Sequence, residues 1–326
     1  MSEDARTAPL ALNIHYFIKW TLISVVIGLT VGAVGTVFGH GVAWATRVWN
    51  RYHWTVFLMP AAGLLIVWLY RACREEKNRG TDMVIEAVSA NEEVTFATAP
   101  LIFISTILSH CVSASLGREG AALQLGGSLG NLIGKVMKLD EKDKKVAVMC
   151  GMSAGFAALF GTPLAAAVFA MEVISVGEMY YAAFFPCLLS AFCSFLVTGA
   201  MGLPADAYQV AAVPALSLAS IGQVALMGVA CALAARLFCS GLRFARYAYG
   251  RLLPNPYFRI LAGGGLLILL TLLAGSQAYN GAGTDVVIRA FAGDTLWVFP
   301  LVCLSIQILG CLGGLVSAKS KVWGAV

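Results

Sequence analysis

The sequence predicts an all-α, polytopic membrane protein, and three observations carry that prediction. Of its 326 residues, 59% are hydrophobic and only 12% charged, with a mean hydropathy of +0.81, a balance too apolar for a soluble globular domain. The apolar residues gather in runs, several of them near the ~20 residues that a bilayer-crossing helix needs. Finally, one order of segments (long helix, return helix, short helix, proline-started helix) occurs twice, with Thr284 falling 203 residues after Thr81. The net charge of +5 is modest and its basic residues cluster in short loops, so the charge encodes topology and excludes nucleic acid as a partner.

Taken in order, residues 1–13 are polar and read as a cytoplasmic tail, without the apolar core of a cleaved signal. Residues 14–203 form a first membrane repeat. A helix over Ile14–Trp49 carries Gly28, Gly32, Gly35 and Gly39 near every fourth position, which permits close helix contact, and Trp54–Tyr70 returns across the bilayer. The basic loop Arg71–Arg79 then belongs on the cytoplasmic side. Thr81–Ala90 is too short to span and reads as a half-helix, with Thr81 or Asp82 as its N-cap. Helices follow over Pro100–Leu116, Ala121–Met137, Val146–Phe160, Pro163–Val176 and Tyr180–Met201, with a mixed-charge loop at Lys138–Lys145.

Residues 204–314 repeat the pattern with helices over Ser217–Tyr249 and Phe258–Leu273. A short segment at Ala282–Phe291 and a proline-started run from Pro300 follow. Paired short segments in corresponding places of two halves point to a site between inverted repeats. The second repeat reads as incomplete, and residues 315–326, with Lys319 and Lys321 after an apolar helix, read as an atypical tail. The nine cysteines lie mostly in apolar runs without a CxxC pair, and the four histidines lack ligand spacing, so neither a metal nor a cofactor is expected.

The residues that carry chemistry lie at the break between two apolar helices. Gly117-Arg118-Glu119-Gly120 sets two charges inside a lipid-compatible chain. Intramembrane ionisable residues mark a pathway, and the free amides and dipole of the following helix suit an anion. Glu119 competes with such an anion for the same amides and is a candidate gate. Gly80, Thr81, Asp82 and Met83 precede or open the short half-helix and supply a second candidate N-terminus. Two GxSxG-like stretches, around Ser128 and Ser153, lack the strand and the Asp and His partners of a hydrolase, and small-residue helix packing explains them better than an enzyme does.

Gly117-Arg118-Glu119-Gly120, followed by Gly161-Thr162-Pro163-Leu164-Ala165, resembles the CLC family of chloride channels and anion/proton antiporters. The resemblance implies a CLC-type inverted-repeat bundle with broken helices, in a multi-pass protein of the cell membrane. It further implies a homodimer that carries a small anion, and protons in the antiporter members. Glu119 would be the gating and proton-coupling carboxylate, with Arg118, Gly120, Ala121 and Ala122 around the anion beside Gly80, Thr81, Asp82 and Met83. The chain lacks the family's GSGIP-like signature before the short helix and the proline after GREG. It keeps Glu172 but has Val173 where chloride/proton exchangers carry a second glutamate, so a chloride-type proton relay is not expected, and the role of Glu172 stays open. These departures resemble the fluoride-exporting branch. A passive chloride channel is the runner-up, and a C-terminally truncated, unstable and non-transporting chain is the alternative of another class.

Overall fold

The computed structural model describes residues 4–75, 80–89, 95, 97–114, 116–174, 179–204, 215–275, 277 and 280–281. Ten α-helices run through these residues: α1 (Asp4–Arg51), α2 (Met59–Ala72), α3 (Thr81–Ser89), α4 (Thr98–Cys111), α5 (Glu119–Val136), α6 (Glu141–Phe160), α7 (Pro163–Glu172), α8 (Phe184–Ala200), α9 (Leu218–Leu252) and α10 (Pro256–Ala274). Short 3-10 turns at His53–Leu58 and Tyr181–Ala183 lead into α2 and α8. Among the described residues, five helical segments are long and apolar enough to cross a membrane. The expected segments at Ala282–Phe291 and from Pro300, and the tail at 315–326, lie outside the described residues.

The chain divides into two compact units. The first comprises Met1–Trp44, Lys77–Thr106 and Gly117–Asp206; the second comprises Ala45–Glu76, Ile107–Leu116 and Ala207–Val326. In the first unit, Trp20, Ile23, Ile27, Val31 and Phe38 place one face of α1 in a core shared with α3, α5, α6 and α7. Small residues decide how close these helices come. A methyl group on Gly126 of α5 would strike the Gly151 carbonyl of α6 and lie 3.3 Å from the Gly155 Cα, while one on Gly151 would strike the Gly126 carbonyl and lie 3.0 Å from the Gly130 Cα. The two helices therefore touch backbone to backbone along this seam.

Buried hydroxyls tie α6 to α8. Ser190 donates to the Cys150 carbonyl (3.2 Å), Ser194 to the Ala154 carbonyl (2.7 Å) and Ser153 to the Cys187 carbonyl (3.1 Å). In an apolar setting a side-chain donor has no better partner than a neighbouring helix's carbonyl. The Cys150 and Cys187 thiols, 4.0 Å apart, fill the space between these bonds. The same serines leave room for α1, whose Gly28 and Gly32 face Ser190 and Ser194.

Among the boundaries that differ from the expectation, two have a local reason. The loop expected over Lys138–Lys145 ends at Asp140, whose side chain accepts from the Asp143 amide at 2.7 Å and so starts α6 at Glu141, five residues before the first apolar position at Val146, placing Lys142, Lys144 and Lys145 on the helix. There Lys144 pairs with Glu141 at 2.7 Å, and Asp143 pairs with Lys19 of α1. Helix α4 stops at Cys111, five residues before the expected Leu116; Ser113 adopts φ 62, a left-handed conformation that cannot continue the helix. Helix α1 begins at Asp4, ahead of the expected Ile14.

In the second unit, α2 packs on α10, with Gly63 against Ile260 and Gly264 against Pro60. Asn255 caps α10 by accepting from the Tyr257 amide at 3.0 Å, and the Arg259 guanidinium returns to the carbonyls of Leu253 (2.8 Å) and Pro254 (3.2 Å), fixing the turn after α9. Most of α9, including Leu226, Leu233 and Leu237, is exposed.

Candidate functional site

Helix α5 begins at Glu119, with Arg118 at the N-cap in a helical conformation (φ −99°, ψ −5°) and no side-chain cap. The Ala122 amide donates to the Arg118 carbonyl at 2.9 Å, the first bond within the helix. The amides ahead of that first helical bond are those of Glu119, Gly120 and Ala121, which have no carbonyl one turn earlier in α5. Buried Ala121 and Ala122 offer only a methyl surface beside them.

Helix α3 starts at Thr81, as the half-helix reading expected. Gly80 (φ 70°) precedes it and accepts from the Met83 amide at 3.2 Å, so the cap position belongs to a glycine and neither Thr81 nor Asp82 occupies it. Asp82 falls in the first turn, and Met83 is buried on the core side.

The two N-termini meet. A methyl group on Gly120 would lie 2.8 Å from the Thr81 hydroxyl, and one on Gly127 would press on Val84, so α3 and α5 run side by side in the same direction with their first turns together. Each helix N-terminus carries about half a positive charge and free amides, so their meeting concentrates donors and positive potential at one point. Of the sequence-predicted residues, Gly80, Thr81, Asp82, Gly120 and Ala121 are brought to this point by their positions in the two first turns.

Glu119 is exposed, and its side chain folds back over Gly117, where a methyl group would meet the Glu119 Cδ at 3.0 Å. The glycine at 117 thus leaves space for the carboxylate beside the helix start, and the acidic charge at the first helical position is favoured by the dipole. Arg118 points elsewhere, its guanidinium lying 5.4 Å from the centre of the Phe160 ring. Phe160 ends α6, Gly161 turns the chain in a left-handed conformation (φ 66°) while its amide donates to the Ala157 carbonyl, and Pro163 opens α7. Arg118 of the first motif therefore lies against Phe160, the residue just before the second. Glu172 is separate from them. It is exposed at the last position of the ten-residue α7, about 14 Å along the helix from Pro163.

Gln124 escaped the sequence reading. It is 5% exposed, donates from Nε2 to the Gly120 carbonyl at 3.3 Å, and brings that nitrogen within 3.9 Å of where a Gly80 methyl would stand. A lone glutamine in a helix of alanines, leucines and glycines gives no periodic signal. Only its spacing of four from Gly120 hints that it returns to the helix start. The serines of the GxSxG-like stretches are buried within helices, and Ser153 is committed to a carbonyl of α8. Among the described residues, no three His, Cys, Asp or Glu side chains gather as a metal site.

These features define a class, that of helical membrane proteins built on broken helices whose N-termini turn inward. The chain belongs to the voltage gated chloride channel family, or CLC family, whose pattern matches residues 62–319. It is 31% identical over 299 residues to the chloride/fluoride channel protein of Pseudomonas syringae pv. tomato, covering 89% of this chain and 66% of that protein. Among solved structures, a CLC-type fluoride/proton antiporter matches at 28% identity and a TM-score of 0.87, over 93% of this chain and 77% of the other. A slow cyanobacterial chloride/proton antiporter shares the fold at 19% identity and a TM-score of 0.74, over 92% and 74% of the two chains. The chain spans less than two thirds of the length of the curated relatives it matches.

Proposed function

We propose that this chain carries the anion pathway of a fluoride/proton antiporter, with Glu119 as the gating and proton-coupling carboxylate. The observation that supports it most is the meeting of the α3 and α5 N-termini at Thr81 and Gly120, with the Glu119 carboxylate folded over Gly117 beside them. An anion at that point competes with the carboxylate for the same amides. Protonation removes the competitor's charge and frees it to move away, which links anion passage to a proton. Fluoride is favoured over chloride by the relatives that resemble the chain, by Gly80-Thr81-Asp82-Met83 ahead of the core, and by Val173 in place of a second acidic residue. The protein works as a multi-pass homodimer in the cell membrane.

The test is anion efflux from liposomes under an imposed proton gradient, with fluoride or chloride as the only permeant anion. Proton-driven fluoride movement is expected from the wild type. Glu119→Gln, which holds the side chain uncharged, should leave anion flux independent of pH and abolish proton movement. Normal proton-coupled flux in Glu119→Gln would remove Glu119 from the gate. Anion flux that never moves protons, in the wild type as well, would favour the passive chloride channel.

A further inference from the structure

One polar side chain at the meeting of α3 and α5 is buried and only half satisfied. The Gln124 carboxamide is nine-tenths buried, its Nε2 donates to the Gly120 carbonyl, and its Oε1 has no partner among the described residues. The bond to Gly120 fixes which end of the amide is which. Turning the group over would set Oε1 against the Gly120 carbonyl, acceptor against acceptor. The unsatisfied atom is therefore an acceptor, in a place where the free backbone groups are donors.

An anion held by the first-turn amides of α3 and α5 satisfies those donors but repels Oε1. A water molecule reconciles the two, since it donates one hydrogen to Oε1 and the other to the anion. We infer that Gln124 is a specificity-determining positioning residue that keeps one water on the anion, so that the site takes a partly hydrated ion. The inference rests on the reading of this point as an anion site. It also names the selectivity. A smaller ion of the same charge binds its last water more strongly, so fluoride gains more from a retained water than chloride does. A methyl on Gly80 would stand 3.9 Å from Nε2, in ordinary contact, so the carboxamide lies beside the start of α3 as well as that of α5.

The experiment uses the full chain in liposomes and measures fluoride and chloride uptake under one proton gradient. Gln124→Met keeps length and flexibility but removes the amide; Gln124→Asn keeps the amide and withdraws it by one methylene. Gln124→Met should lower fluoride flux about tenfold, the scale of one buried hydrogen bond, with little change in chloride flux. Gln124→Asn should fall between it and the wild type. A merely structural glutamine would lower both fluxes in parallel, and that result overturns the inference, as does an unchanged fluoride-to-chloride ratio in either variant. Should Gln124→Met fail to assemble, Gln124→Asn decides alone. Failure of the wild type to move any anion would overturn the functional reading itself, whereas a transporting wild type with unselective variants would overturn only the role of Gln124.

Discussion

Gly120 has no room for a side chain, because the Thr81 hydroxyl would lie 2.8 Å from its first carbon. That contact sets how closely two helix N-termini approach, so it is a place to test the site without touching a charge. Gly120→Ala should destabilise the protein by about 1–3 kcal/mol, the usual cost of forcing a methyl into a packed place. In a Thr81→Ala background the cost should shrink by about 1 kcal/mol, the coupling expected of residues in contact. Equal losses of melting temperature in both backgrounds would mean that Thr81 and Gly120 do not meet. The glycines and charges at 117–120 were legible in the sequence because an arginine and a glutamate between apolar runs demand a reason. What stayed illegible was the partner of each. Arg118 reaches Phe160 through a fold that brings residues 42 apart together, and Gln124 declares its role only through an acceptor left over after folding.

At the scale of elements, the glycine seam between α5 and α6 holds the start of α5 against α3. Gly126 and Gly151 face each other so closely that a methyl on either meets backbone, which cannot rotate aside. Gly151→Ala should therefore lower the melting temperature, at about 1–3 kcal/mol, and also reduce anion flux by shifting the α5 N-terminus. Gly265→Ala on α10, where nothing lies within 4 Å, is the matched control; it should be neutral or gain up to about 1 kcal/mol from helix propensity. Similar melting shifts for the two would argue against the seam. Helix number and order over the described residues could be read from apolar runs and glycine spacing, because lipid requires each crossing to be a complete helix. The ends could not. Whether Asp140 caps α6 through the Asp143 amide, or Ser113 turns left-handed and stops α4 at Cys111, depends on single hydrogen bonds and dihedral angles that composition does not encode.

Across the whole molecule, the internal repeat has a physical counterpart in the pairing of α2 with α10, the return helices of the two copies. Gly63 meets Ile260 and, three residues earlier in α2, Pro60 meets Gly264, so the helices run antiparallel. An offset of 203 residues, as between Thr81 and Thr284, makes Gly264 the counterpart of Ala61, and Pro60 thus touches a residue one place from its own equivalent. Antiparallel contact between near-equivalent residues is what a two-fold axis lying in the membrane plane produces, which supports an inverted repeat. If that crossing holds the copies together, it should resist being filled. A methyl on Gly63 would lie 2.5 Å from Ile260 Cγ1 and 2.9 Å from its Cδ1, and Ile260 is buried. Gly63→Val should accordingly cost about 1–3 kcal/mol. Ile260→Ala alone should cost about 2–5 kcal/mol through the cavity it leaves. The double variant should be more stable than the two losses together allow, by about 1 kcal/mol or more, since the added valine methyls occupy the space the isoleucine vacates. Melting temperatures of the four proteins in one detergent measure this directly. Strict additivity would show that α2 and α10 do not cross at these residues, and would leave the repeat without a physical axis at this point.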